Sequence, residues 1–181
     1  EILYNAVDTN FFKPKENKVL SSKLKILVTG KYQEHLYVNL KFIVNVLKRL
    51  IDNKIEANIN FAGYYDAQVK KKLINLSHQY GLQDNIEFSG IYSQENANIL
   101  YSSSDIYFYF VHQSNCPNSV IEAMSCGLPV ICQSTGGLPE IVNKESGICL
   151  QTKESWDMPY VPRVEDAFFA VKKIINNYSD Y

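Results

Sequence analysis

Most residues in this chain that could bind a ligand lie between Val111 and Val142, in the stretch VHQSNCPNSVIEAMSCGLPVICQSTGGLPEIV. Within it, Pro117-Asn118-Ser119 is typical of a helix start. The first backbone N–H groups of a helix are unpaired and carry the positive end of its dipole, so they suit an anion such as phosphate. The alternative is a well-capped helix end that binds no ligand.

Glu122 has two interpretations that spacing alone does not separate. Ser119-Val120-Ile121-Glu122 matches the capping box S/T-x-x-E, in which the glutamate has only a structural role. A carboxylate near the end of a sheet could instead accept hydrogen bonds from two ribose hydroxyls, because it has acceptors for both O–H donors.

Gly136 and Gly137 directly follow a predicted strand. Glycines there permit positive φ and a close approach of backbone to a ligand, although an ordinary turn before a helix with Pro139 near its start is the alternative. Lys31, placed just after the first predicted strand, could pair with a phosphate or be a solvated surface lysine. His112 at a strand end is either structural or functional.

The elements that must position these residues alternate between strand and helix about six times along the chain. Short, continuously apolar strands are typical of a parallel sheet covered by helices on both faces. The sequence therefore predicts an α/β, doubly wound, Rossmann-like domain. Ligands of such sheets bind beyond the carboxyl ends of the strands. The loops of interest are predicted to follow Thr29, Ala62, Ser89, Val111 and Cys132.

Composition excludes several classes. A length of 181 residues suits one domain, and 46% hydrophobic residues exclude wholesale disorder. A net charge of −1 gives no basic surplus for nucleic acid. No apolar run approaches the roughly 18–20 residues of a membrane span. No GxGxxG, GxxxxGK[ST] or GxSxG motif occurs, which disfavours dehydrogenases, P-loop enzymes and α/β-hydrolases.

The four cysteines, at positions 116, 126, 132 and 149, form no CxxC pair. A zinc cage and a disulfide framework are therefore disfavoured, and we expect a reducing compartment. Cys132 and Cys149 stand in apolar runs and are predicted to be buried small hydrophobic residues, while no motif marks Cys116 as a nucleophile. Because the chain starts at Glu1, we expect a piece of a longer protein.

PNSVIEAMSCGLPVICQSTGGLPEIV resembles the donor-site signature of GT-B glycosyltransferases, specifically glycosyltransferase family 4 (group 1). Further segments resemble that family in the same order along nearly the whole chain. They are YNAVDTNFFKP at residues 4–14, the strand ends FAG at 61–63 and FSG at 88–90, YSSSDI at 101–106 and ESG at 145–147.

The resemblance implies the C-terminal, nucleotide-sugar-binding half of a two-domain enzyme, with a connector at residues 1–22 and the Rossmann-like domain at 23–181. The acceptor domain would lie in a missing N-terminal half. The parent would be a retaining, hexosyltransferase-type enzyme that needs no metal or other cofactor. It would act in the cytoplasm or at the inner membrane face, on a polysaccharide or glycolipid, and the isolated fragment would transfer little.

By the same resemblance, Glu122 would bind the ribose and Lys31 the diphosphate, and Ile91 would lie near the nucleobase. The backbone of Asn118, Ser119 and Val120 would also meet the diphosphate, and Gly136 and Gly137 would belong to the donor site.

Two positions depart from the family pattern. Ser114 stands where the first glutamate of E-x7-E is usual, and Leu36 stands near the place of a second basic residue, with Lys41 too far along the helix to replace it. The catalytic group is therefore left open, with His112 or Asn115 as possible contributors. A degenerate, non-catalytic binding module and a GT-B nucleotide-sugar epimerase are the alternatives.

Overall fold

The computed structural model describes residues 5–16, 18–112, 114–155, 157 and 159–181. In this part of the chain, six parallel strands form one sheet in the order β3-β2-β1-β4-β5-β6. The strands are β1 (Leu24–Tyr32), β2 (Ala57–Tyr65), β3 (Ile86–Gly90), β4 (Ile106–Tyr109), β5 (Val130–Gln133) and β6 (Gly147–Leu150).

Helices cover both faces of the sheet, and a separate apolar core lies under each face. One core joins the sheet to α1, α2 and α6, and the other joins it to α3, α4 and α5. The predicted doubly wound, Rossmann-like architecture is confirmed. The helices are α1 (Tyr37–Asp52), α2 (Ala67–Tyr80), α3 (Gln94–Ser102), α4 (Asn118–Ser125), α5 (Leu138–Ile141) and α6 (Val164–Asn176).

β1 and β2 run three residues beyond the ends expected from their apolar runs, to Tyr32 and Tyr65. Gly63, with φ of 137°, allows this extension, because a Cβ there would stand 2.0 Å from the Gly30 carbonyl oxygen. The expectation that Lys31 follows the first strand is therefore wrong, since Lys31 lies inside β1 and pairs with Tyr64.

β1 and β4, which mark the reversal in strand order, pair only at Ile26–Ile106 and Leu27–Tyr107. β4 ends at Tyr109, two residues short of the predicted Val111. The two strands therefore part toward their carboxyl ends. A crevice opens at the topological switch point, where open α/β sheets bind their ligands.

The described residues of the 1–22 segment form no helix or strand but pack on the domain. Phe12 is buried in the core beneath α4, and Ser21 donates its backbone N–H and its hydroxyl to Asp105. Tyr4, the first residue of the family-like segment, lies outside the described residues, and the boundary at residue 22 stays a prediction. Among the described helices, none has the length and apolar character of a membrane span.

Candidate donor-binding site

A cleft of about 840 Å³ lies at the carboxyl ends of β1 to β4. It brings together three residues singled out from sequence: Lys31 on β1, Ile91 after β3 and Ser119 in the first turn of α4. Leu36 also lines it, so the position that departs from the family pattern faces the cleft. The remaining lining residues are Thr29, Gly30, Gln33, Gly63, Tyr64, Tyr92, Tyr109 and Val111.

Beneath this cleft, the fully buried hydroxyl of Tyr107 on β4 links neighbouring elements by hydrogen bonds. This hydroxyl lies 2.6 Å from Thr29 Oγ1 and also hydrogen-bonds to Ser119. Burial raises the pKa of Tyr107, and the hydrogen bonds to Ser119 and Thr29 oppose that rise. One phenol thus fixes the start of α4 against β1 and β4.

α4 begins at Asn118, with Pro117 as N-cap and no side chain capping it. The first turn carries no acidic side chain. Ser119 lies inside the helix, and its side chain is bound to Tyr107. The capping-box interpretation of Ser119 and Glu122 is therefore wrong. The Val120 N–H already donates to the Pro117 carbonyl at 3.1 Å, so Asn118 and Ser119 carry the exposed part of the helix start.

Glu122 lies one turn further along α4 and is held by a buried phenol. Tyr101 donates its hydroxyl to Glu122 Oε2 at 2.9 Å. Burial is the main cause of the strongly raised pKa of Tyr101, with the phenols of Tyr107 and Tyr92 and the Glu122 carboxylate adding to it. The phenol therefore remains a hydrogen-bond donor to the carboxylate.

Glu122 does not line the large cleft but an adjoining pocket of about 320 Å³. Asp8 and Glu95 line this pocket as well, so it is acidic. Asn118 also lines it, and the next residue, Ser119, lines the cleft. The Asn118 side chain accepts a hydrogen bond from Asn5 Nδ2 at 2.8 Å, which connects the N-terminal segment to the start of α4.

The loop before α4 and the glycine pair after β5 are in contact, as two neighbouring strand ends predict. Gly137 donates its N–H to the Ser114 carbonyl at 3.1 Å, and a Cβ at Gly137 would stand 2.0 Å from the Asn115 carbonyl oxygen. Only a glycine fits that approach. The Ser114 hydroxyl accepts a hydrogen bond from Tyr109 at 2.9 Å.

His112 and Cys116 stand apart from the cleft lining. His112 Nε2 hydrogen-bonds to the Ser155 carbonyl, and its Nδ1 lies 3.4 Å from Gln133 Nε2. Both ring nitrogens therefore have protein partners. Cys116 is half-buried, and its carbonyl accepts a hydrogen bond from Asn5 at 2.8 Å.

Sequence reasoning missed Tyr101, Tyr107 and Glu154. Tyr107 lies in a segment whose signal is an apolar pattern, and Tyr101 begins the family-like YSSSDI segment, which did not mark it as a partner of Glu122. Glu154 Oε1 accepts a hydrogen bond from the Gly136 N–H at 3.2 Å, across 18 residues, and no motif marks it. Within the described ranges, no group of three or more His, Cys, Asp or Glu side chains could hold a metal ion. The expectation of a metal-free reaction stays a prediction.

Comparison with known sequences agrees with this architecture. A family model described as glycosyl transferases group 1 matches residues 9–158. The gpi3 subunit of phosphatidylinositol N-acetylglucosaminyltransferase from Schizosaccharomyces pombe is 26% identical over 143 residues, which are 78% of this chain and 30% of that protein. The chain thus spans about a third of the length of this curated relative.

Two solved structures share the fold. Anabaena HepE, crystallised with UDP and glucose, superposes with a TM-score of 0.78 at 15% identity, covering 99% of this chain and 48% of HepE. The C-terminal domain of LpcC, a glycosyl transferase group 1 family protein from Francisella tularensis, superposes with a TM-score of 0.76 at 21% identity. That match covers 97% of this chain and 90% of the LpcC domain. With the family model matching residues 9–158, this chain belongs to the group 1 glycosyl transferases and forms a GT-B C-terminal domain.

Proposed function

We propose that this chain is the donor-binding domain of a retaining, hexosyltransferase-type glycosyltransferase. The parent enzyme would transfer a sugar from a nucleoside diphosphate to a polysaccharide or glycolipid, in the cytoplasm or at the inner face of its membrane. A separate N-terminal domain of the same protein would hold the acceptor.

The observation that carries the proposal is the separation of charge on the two sides of the start of α4. On one side, Lys31 and the positive end of the helix dipole face the large cleft, which suits a diphosphate. On the other side, Glu122 stands in an acidic pocket, which suits neutral hydroxyl donors such as those of ribose. Ile91, which is 78% exposed, offers an apolar surface to a base.

This arrangement would assist the departure of the nucleoside diphosphate. As the bond from the sugar C1 to the diphosphate breaks, negative charge grows on the leaving group. The oxygen of an acceptor hydroxyl forms the new bond to C1, and its proton passes to solvent. Lys31 and the first N–H groups of α4 would stabilise that charge without metal. Gly136 and Gly137 would let the adjacent backbone approach the donor.

Saturation-transfer NMR with UDP, GDP and ADP, and with their glucose or mannose forms, tests the proposal on this chain. We expect signal from one nucleotide, which names the base. Glu122→Gln retains an acceptor oxygen for Tyr101 but removes the charge, and we expect it to lose the ribose signals. The matched control is Glu145→Gln, an exposed glutamate just before β6 that lines neither cavity.

Ribose signals that are unchanged in Glu122→Gln would contradict the role of Glu122. If no nucleotide gives signal at millimolar concentration, the measurement is repeated on the full-length parent. Signal there would mean that the N-terminal domain completes the site, and its absence there would contradict a donor site.

A degenerate binding module is the second candidate. It is favoured by Ser114, whose hydroxyl is bound to Tyr109, and by the uncharged Leu36 in the cleft. Such a module would bind nucleotide without transferring sugar. Product analysis with the full-length parent separates the two, because transfer gives a glycosylated acceptor, whereas a GT-B epimerase would change only the donor sugar.

A further inference from the structure

Two thiols face each other on β5 and β6, and β5 lies next to β4, whose Tyr109 lines the Lys31 cleft. Cys132 on β5 and Cys149 on β6 are register partners, and their Sγ atoms lie 3.4 Å apart. Neighbouring strands lie about 4.8 Å apart, within the Cα separation of about 4.4–6.8 Å that disulfides span. The backbone therefore already holds the two residues at a bonding separation.

The pairing is specific to these two of the four thiols. Cys132 is buried as predicted, but Cys149 is only half-buried, which corrects the expectation from its apolar run and leaves it a route to small solutes. Cys116 lies in the loop before α4, and Cys126 is buried at the end of α4. Burial raises the pKa of the Cys126 thiol to about 11.

Burial and the hydrogen bond between them distinguish the two sulfurs. The hydrogen bond between the two sulfurs lowers the pKa of Cys149 despite its partial burial. The same hydrogen bond, together with burial, raises the pKa of Cys132. Cys149, the half-buried member of the pair, is the sulfur that a small solute reaches first, and its thiolate would be the reactive form.

We propose that Cys132 and Cys149 form a reversible redox modification site, a dithiol that a small hydroperoxide converts into a disulfide. The Cys149 thiolate attacks one peroxide oxygen, the O–O bond breaks, and hydroxide leaves, giving a sulfenic acid on Cys149. Cys132 sulfur then attacks Cys149 sulfur and loses its proton, and water leaves. In total, two thiols and one hydrogen peroxide give one disulfide and two waters.

The disulfide would alter the packing of α5, the helix that follows Gly136 and Gly137. Cys149 Sγ lies 3.6 Å from the Val142 carbonyl oxygen and 3.9 Å from that of Leu138, so it packs beneath α5. Closing the sulfur–sulfur distance from 3.4 Å to about 2.05 Å changes this contact. The site is independent of the proposed function, because it requires only the two strands.

In the test, the whole chain is treated with hydrogen peroxide and its remaining thiols are alkylated under denaturing conditions. The peptides are then mapped. We expect a cross-linked peptide pair containing Cys132 and Cys149, reversed by dithiothreitol, with Cys116 and Cys126 still alkylated. Cys116→Ser is the control and should form the same link. Cys132→Ser should leave a sulfenic acid on Cys149 that dimedone traps.

Three results would overturn the proposal: both thiols remaining alkylatable after peroxide, oxidation of Cys149 to sulfinic acid in the wild-type chain without a link, or a link through Cys116 or Cys126. The peptide map of the wild-type chain tests the proposed disulfide even if Cys132→Ser does not fold.

Discussion

At the scale of single residues, the candidate site depends on two phenols that lie outside the lining of both cavities. Tyr101 orients Glu122, and Tyr107 joins Ser119 to Thr29. Because burial raises their pKa values, both phenols keep their hydroxyl protons at neutral pH, and Tyr101 remains the donor to Glu122. These tyrosines are positioning residues for the side chains assigned to the donor.

Tyr101→Phe removes only the hydroxyl that donates to Glu122. We expect a loss of about 1–3 kcal/mol in unfolding free energy, because the half-buried carboxylate loses a charge-assisted hydrogen bond. Nucleotide affinity should fall several-fold through the misplaced Glu122, as measured by urea unfolding and by titration. Tyr80→Phe, at the end of α2, is the matched control, and equal affinity in the two variants would disprove the positioning role.

At the scale of elements, the extension of β1 and β2 beyond their apolar runs carries Lys31 to the cleft. Gly63 makes this possible, since its Cβ-free backbone stands against the Gly30 carbonyl. Gly30 itself is not in the left-handed region, and the nearest atom to a Cβ there is Tyr32 Cε1 at 3.7 Å. Gly30 and Gly63 are register partners, but a Cβ fits at Gly30 and not at Gly63.

Gly63→Ala is expected to cost about 2–4 kcal/mol, because the new methyl overlaps a backbone oxygen and φ is unfavourable for alanine. Gly30→Ala should change stability by less than about 1 kcal/mol. Urea midpoints measure both values. Equal losses in the two variants would contradict the close approach.

Asp105 joins the N-terminal segment to the sheet. Its two carboxylate oxygens accept hydrogen bonds from Ser21 and from the Lys25 N–H at 2.8 Å. Asp105→Asn keeps the shape but turns a donor toward one of these partners, so we expect a loss of about 1–3 kcal/mol. Asp84→Asn, at an exposed site, is the control for denaturant unfolding, and a difference below about 0.5 kcal/mol would contradict this role.

At the scale of the whole molecule, buried tyrosines make the fold sensitive to alkaline pH. Burial raises the pKa of Tyr32, Tyr101 and Tyr107 above the ordinary value of 10.0. Above that value the unfolded chain loses phenol protons that the folded chain retains. The unfolded state is thereby favoured, and stability that is fully present below about pH 10 is lost as the pH rises further.

Unfolding free energy should therefore fall by about 1.4 kcal/mol per pH unit for each of these tyrosines above about pH 10. Urea unfolding at several alkaline pH values measures the slope, and phenolate absorbance should rise together with unfolding. Tyr101→Phe should reduce the slope of unfolding free energy against pH by the contribution of one tyrosine, about 1.4 kcal/mol per pH unit. A stability that is flat between about pH 9 and pH 11 would contradict the prediction.

The local patterns of the sequence sufficed for the order and type of the elements. Apolar runs placed the ends of five strands, at Thr29, Ala62, Ser89, Val111 and Cys132, within three residues of those observed. The predicted ends of β1, β2 and β4 were wrong, because neighbouring strands determine them. β1 and β2 extend because each supplies the other's hydrogen bonds, and β4 ends early because β1 departs from it. A local sequence pattern does not show which strands will be hydrogen-bonded neighbours.

By itself, the sequence determined the doubly wound class, a helix start at Pro117-Asn118-Ser119 and the family resemblance, since each depends on residues that are neighbours in the chain. Only the tertiary structure excluded the capping-box interpretation of Glu122, placed Glu122 and Lys31 in different cavities, turned His112 toward Ser155 and paired Cys132 with Cys149. The physical reason is that hydrogen bonds and charge depend on distances between residues far apart in the chain, and these exist only once the sheet has formed.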